Sequence, residues 1–191
     1  MSKGTNTYKM AHRRRREKKT DYKLRFRLLK SGKLRFVIRK SNNNISCQLI
    51  EHDSKGDKIL ASVSNKDIKK LGWKGHGGSI PSAYLVGRLC ASKEKGKDAI
   101  LDMGLQRSTK GSRIYAAVKG AIDAGLNIPC SKDILPNDKR AKGDHIVQFA
   151  LKLKKENPDK YKKDFSVYLK AGLNPEDLAK HLEEILAKIK K

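Results

Sequence analysis

Long apolar runs, paired cysteines and acidic residues near the start are what this 191-residue chain lacks. No stretch of eighteen or more apolar residues occurs, so the sequence offers no membrane-spanning helix. The opening MSKGTNTYKMAHRRRR has no apolar centre and does not read as a secretory signal. Its basic, acid-poor character suits a transit peptide, but that character continues past Arg27 with no small-residue cleavage site. Cys47, Cys90 and Cys130 are odd in number and far apart, which excludes a zinc knuckle and a disulfide framework. They read as small, reduced, mostly buried side chains. Hydrophobic residues make up 37% of the chain, below the usual share, so a core is available for one domain but not for every segment.

Catalytic groupings are also missing. There is no GxSxG, and Asp98, Asp102, Asp123 and Asp144 do not form the converging set that a two-metal nuclease needs. His145 beside Asp144 reads as the solvated start of a helix. The loop Gly75-His76-Gly77-Gly78 lacks the Lys-Ser/Thr pair of a P-loop. It reads either as a plain flexible loop or, with Ser79 opening a helix, as a contact for an RNA phosphate. No enzyme activity, cofactor, metal or small-molecule substrate is expected.

What the chain has is positive charge: 45 Lys+Arg against 20 Asp+Glu, a net charge of +25. A compact domain with that charge repels itself and calls for a polyanion, because counterion release rewards each cation placed on a phosphate. An anionic membrane surface is the other polyanion. Residues 1–40 hold sixteen Lys+Arg against Glu17 and Asp21, so over half of the net charge sits in the first fifth.

Residues 1–12 are polar and read as unstructured alone. Helix formers dominate from Arg13 to Lys30, with Tyr22, Phe26 and Leu29 as an apolar stripe, and Ser31-Gly32 ends that helix. Three runs then alternate: Leu34, Phe36 and Ile38; Ile45, Cys47 and Leu49; Ile59, Ala61 and Val63. They predict an antiparallel meander whose first strand turns Arg35 and Arg39 outward. A helix from Ser79 to about Lys95, rich in small residues for packing on the sheet, precedes a buried parallel strand at Ala99-Ile100-Leu101. Another helix runs from Ser112 to Gly125, and Leu126 and Ile128 suggest a last short strand. The fold expected is three-layer α/β: a small mixed sheet with an antiparallel meander, parallel strands and flanking helices. It carries a basic N-terminal arm and a helical C-terminal tail. The division expected is arm 1–30, domain 31–137 and tail 138–191. In the tail, Asp144 to Lys155 reads as helix, and Asn174-Pro175-Glu176-Asp177 starts another with Leu178, Leu182, Ile185 and Ile189 on one face. That face docks either on its own domain or on a partner protein or RNA surface.

Arg13-Arg14-Arg15-Arg16 with Lys18-Lys19 is the strongest binding signal, since guanidinium forks match phosphate oxygens and stack on unpaired bases. The strand from Arg35 to Arg39, with the turn Lys40-Ser41-Asn42, adds fork donors, a hydroxyl and an amide at one edge.

These local features resemble one family when taken in order. RRRREKKTDYKLRFRLLKSGKLRFVIRKSNNNISCQLI, GWKGHGGSIPSAYLVGRL, AILDMGL, GAIDAGLNIPC and KGDHI span roughly residues 8–150. They resemble the universal large-subunit ribosomal protein eighteen family in its archaeal form, the ribosomal protein that binds 5S rRNA. The resemblance implies a cytoplasmic, ribosomal protein that binds 5S rRNA and helps dock it into the central protuberance, against the large rRNA and neighbouring ribosomal proteins. The RNA contacts it implies are Arg13, Arg14, Arg15, Arg16, Lys18, Lys19, Arg25, Arg35, Arg39, Lys40, Ser41 and Asn42. Tyr22, Gln48 and the helix start from Ser79 to Tyr84 are secondary contacts. The chain departs from the family pattern at Asn43, Asn44 and Cys130, and nothing carries over onto the tail beyond about residue 152. A general basic protein that coats RNA or DNA is the competing reading.

Overall fold

The computed structural model describes residues 10–190. The reading of residues 1–12 as unstructured falls, for residues 1–9, outside the described residues.

Three strands form the expected meander: β1 (Leu34–Lys40), β2 (Ile45–Asp53) and β3 (Gly56–Ser64), each antiparallel to the next. The fourth strand, β4 (Ala99–Asp102), lies parallel to β1 on its free side, giving the order β3-β2-β1-β4. Alternation places Phe36, Ile38, Ile45, Cys47, Leu49, Ala61 and Val63 on one buried face. Ile59 departs from that pattern and is 54% exposed. A bulge opposite Leu49/Ile50 adds a residue to β3 there and shifts the phase of the strand. The expected strand at Leu126 and Ile128 is a single parallel bridge, Asp98 to Asn127, with both apolar residues buried beside it.

Helices α4 (Ile80–Ser92) and α5 (Arg113–Asp123) cover the buried face of the sheet. The small residues of α4 serve both the sheet and the neighbouring helix: Cys90 Sγ donates to the Cys47 carbonyl of β2 at 3.5 Å, while Gly87 meets α5. A Cβ at Gly87 would stand 2.0 Å from the Ala117 carbonyl oxygen, and one at Gly120 would stand 2.1 Å from that of Tyr84. Only glycine permits backbones this close. A short helix that the periodicity does not predict, α3 (Asn65–Lys70), precedes α4. Ser64 and Asp67 close a capping box at its start.

The N-terminal segment is two helices rather than one. α1 (Arg13–Arg16) stops at Glu17, Lys18 takes a left-handed φ of 51°, and α2 (Tyr22–Lys30) begins afresh. The Asp21 carboxylate accepts hydrogen bonds from the amides of Lys23 (2.9 Å) and Leu24 (3.0 Å), and this cap sets the phase of the new helix. Leu28 therefore turns inward and Phe26 outward, contrary to the expected stripe.

The tail folds into α6 (Asp138–Lys142), α7 (Asp144–Glu156), α8 (Pro158–Asp164), α9 (Ser166–Lys170) and α10 (Leu178–Lys190). Asn174-Pro175-Glu176-Asp177 first makes a 3₁₀ turn, without an Asn174 side-chain cap. Leu178, Leu182 and Ile185 are fully buried in the same core as the sheet. Of the two readings of that stripe, docking on the chain's own domain holds. His181 of α10 stacks on Trp73 with ring centroids 5.3 Å apart, and its Nε2 accepts from the Lys74 amide at 3.2 Å. The three cysteines are free, with Cys47 and Cys90 buried; burial pushes the Cys90 thiol up to about 12. Among the described residues no helix is long and apolar enough to cross a membrane.

Candidate nucleic-acid interface

The face of the sheet opposite α4 and α5 is where the basic elements meet. α1, α2, β1 and the segment after β4 enclose a cleft of about 590 Å³, lined among others by Arg14, Lys19, Tyr22, Arg25, Arg35, Arg39, Asp102 and Gln106. Arg14 Nε donates to Thr20 Oγ1 (2.8 Å), and the Tyr22 ring lies 5.4 Å from that of His12, so the turn at Lys18 is tied on both sides.

Two carboxylates organise the arginines of this face. Asp57 receives Arg25 (2.7 Å) and Arg35, and Asp102 receives Arg35 Nη1 and Arg39 Nη2, both at 3.1 Å. Burial raises the Asp57 carboxyl, but hydrogen bonds from Arg25, His52 and Arg35 outweigh it and hold the pKa below the ordinary value. Arg35 is thereby removed from the outward-facing contacts. Its strand position points to this face, but its side chain is 4% exposed between the two acids. Arg39 differs. Its side chain remains 46% exposed while Nη1 donates to the Ile38 and Asp102 carbonyls, each at 2.8 Å. It is a held fork with an open edge.

Arg13, Arg14, Arg15, Arg16, Lys18 and Lys19 are all exposed. Glu17 takes Lys19 at 2.9 Å and Arg13 at 3.6 Å, exposed pairs of little energetic weight. Arg15, Arg16 and Lys18 have no ion pair among the described residues. Beside Arg39, register places Ser46, Gln48 and Ser62 on the same sheet face, with Gln48 Nε2 donating to Ser62 Oγ at 3.2 Å. Sequence reasoning missed Ser46 and Ser62, although their alternation with the core residues marks them.

Lys40 is half-buried and Ser41 and Asn42 are exposed on a turn closed by the Ser41 amide on the Asn44 carbonyl at 2.8 Å. That turn is locked to the glycine loop. Arg113 Nη1 reaches the carbonyls of Ser41 (3.0 Å), Asn42 (3.1 Å) and Gly78 (3.0 Å). Buried Asn65 donates to those of Gly77 (2.7 Å) and Asn43 (3.2 Å). The loop is therefore pinned rather than plainly flexible. No sequence signal singles out Arg113 or Asn65, since their partners are backbone atoms of distant turns.

Ser79 is engaged as the cap of α4, its Oγ donating to the His76 carbonyl (2.8 Å) and accepting from the Ser82 amide (3.3 Å). Tyr84 is buried. Its hydroxyl donates to Asp123 Oδ2 (2.8 Å) and accepts from Arg88 (3.0 Å), which sets it apart from the exposed candidates. The carboxylates weighed for catalysis are dispersed: Asp98 holds Lys33 and Asn127, Asp102 holds two arginines, and Asp123 holds Tyr84. Among the described residues no three His, Cys, Asp or Glu side chains are grouped to hold a metal ion.

A mixed-sheet α/β protein with a held arginine fork and an exposed basic arm belongs to the class of proteins built to lie on a polyanion. Comparison with known proteins narrows that class. The family model for ribosomal large subunit proteins 60S L5 and 50S L18 matches residues 6–98 and 92–131. The chain is 50% identical over 185 residues to the large ribosomal subunit protein uL18 of Methanococcus maripaludis, covering 95% of each. This protein belongs to that family of large-subunit ribosomal proteins, in its archaeal form. Its role is structural, in translation, on the cytoplasmic ribosome with ribosomal RNA as partner.

Proposed function

We propose that this protein binds 5S rRNA and helps dock it into the central protuberance, against the large rRNA and neighbouring ribosomal proteins. The arm at Arg13 to Lys19, the fork of Arg39 and the turn at Lys40 to Asn42 form the RNA surface. The observation that carries this is the convergence of α1, α2 and β1 on one cleft, with cations from all three. The Arg39 fork is held in advance by a carboxylate and two carbonyls, so little ordering remains for binding to supply. Ser41, Asn42, Ser46 and Gln48 add neutral donors and acceptors suited to 2′-hydroxyls. The order of the family-like motifs, residues 8–150, supports 5S rRNA over other RNAs.

Filter binding of the full chain to 5S rRNA tests this. Six or more phosphate contacts lower affinity by about a thousand-fold or more between about 50 and 200 mM salt. Unrelated structured RNA or duplex DNA should displace 5S rRNA poorly. Equal displacement would favour a general basic coat protein and sink the 5S reading.

A further inference from the structure

With 69% of its surface exposed, Phe26 is the barest large apolar side chain among the described residues. It lies in the middle of α2, whose sequence YKLRFRLLK contains no acid. On a helix its neighbours in space are three and four positions away, which here are Tyr22, Lys23, Leu29 and Lys30. Of these, Lys23 and Lys30 are exposed beside the ring. Arg25 turns the other way, onto Asp57 at 2.7 Å. The helix beneath the ring is fixed by the Asp21 cap, by buried Leu28 and by that ion pair. The result is a flat π-face on a rigid mount, fringed by cations.

That fringe selects the occupant. A second copy of this chain brings another net charge of +25 and the same cations. An unpaired nucleobase brings a π-face and flanking phosphates, and so matches both the ring and its border. The other large exposed aromatic among the described residues, Phe149, differs: it faces an apolar groove shared with Ile146, Phe165 and Val167, with the acid Asp164 at its edge.

We infer that Phe26 is a stacking platform for an unpaired RNA base, with Lys23 and Lys30 taking the phosphates on either side. The inference deepens the 5S rRNA reading and rests on it.

The test is a set of 5S rRNA titrations across a range of salt with the full chain, F26A, F26L, F26W and Lys30→Ala. Stacking releases no counterions. Phe26→Ala should therefore weaken binding by about ten-fold at every salt concentration and leave the slope of log K against log salt unchanged. Lys30→Ala should reduce that slope by about 0.7 to 0.9. Phe26→Leu keeps an apolar group without a π-face and should bind like Phe26→Ala. Phe26→Trp should retain affinity, and its indole fluorescence should be quenched on titration with RNA, against the buried Trp73 as a constant background. Full affinity in Phe26→Ala or Phe26→Leu, while the unaltered chain binds with its steep salt dependence, overturns the stacking alone. So does a loss of self-association in Phe26→Ala, read by sedimentation, without a loss of RNA affinity. Failure of the unaltered chain to bind 5S rRNA overturns the parent reading and the platform together.

Discussion

Arg35 Nη1 lies 3.1 Å from Asp102 Oδ2, and the two side chains are 4% and 7% exposed. A pair this dry is costly to break from one side, because the remaining charge keeps its desolvation without its partner.

Asp102→Ala should therefore destabilise the protein by about 3 kcal/mol, the lower end of the range for one-sided disruption, since Arg35 keeps Asp57. Urea unfolding measures it. A loss below about 1 kcal/mol would put the network among solvated surface pairs.

Alkaline pH should unfold the protein through Tyr84. Burial, then the Asp123 carboxylate, raises the phenol to about 12 from the ordinary 10.0. The stabilisation from keeping this hydroxyl neutral is complete below pH 10 and is lost as pH rises towards 12. Two pKa units correspond to on the order of 2–3 kcal/mol. Tyr84→Phe should flatten the fall in stability across that window, as followed by circular dichroism at fixed urea. An unchanged slope would remove Tyr84 from the alkaline transition.

The packing of α4 on α5 leaves no room for a methyl group. Gly87→Ala puts a carbon where the Ala117 carbonyl oxygen stands 2.0 Å away, so the helices must separate. The cost should be about 1–3 kcal/mol or more. Thermal unfolding should show a midpoint lowered by about 2–4 °C per kcal/mol at this chain length. Gly120→Ala should act alike from the other helix.

Replacing Arg13 to Arg16 with alanine removes four exposed cations that the core does not use. Folding stability should stay within about 0.5 kcal/mol. The salt slope for 5S rRNA should fall by about 0.9 for each phosphate that these arginines no longer neutralise. Unchanged affinity would take the arm out of the RNA surface.

The elements readable in the sequence are those set by neighbours along the chain. Phe36, Ile38, Cys47 and Leu49 alternate strictly, and the β1–β2 hairpin follows. Leu178, Leu182 and Ile185 recur at helical spacing, and all three are buried. The capping box of Ser64 and Asp67 is equally local, yet the helix it opens is too short to show a periodic stripe. What escapes the sequence is decided from far away. Arg35 has a strand period that points it outward, yet acids 22 and 67 residues distant close over it. Phe26 and Leu28 exchange roles because the Lys18 turn restarts the helix. In the candidate site, the exposed arm is visible as composition. The held fork of Arg39 is not, because its partners on Asp102 meet it only once β4 is beside β1.

Those sequence separations also bear on the nascent chain. Synthesised from its N-terminus, the chain exposes β1 first, gains Asp57 with the hairpin, and receives Asp102 only after a further 45 residues, the difference between separations of 67 and 22. Until then Arg39 is uncompensated and Arg35 half-compensated on an unfinished sheet edge, beside an arm that already carries much of the molecule's net charge. A fragment ending before residue 99 thus lacks the carboxylate and carbonyl that hold the Arg39 fork. The last-arriving strand supplies the carboxylate that pairs with both arginines of β1 at once.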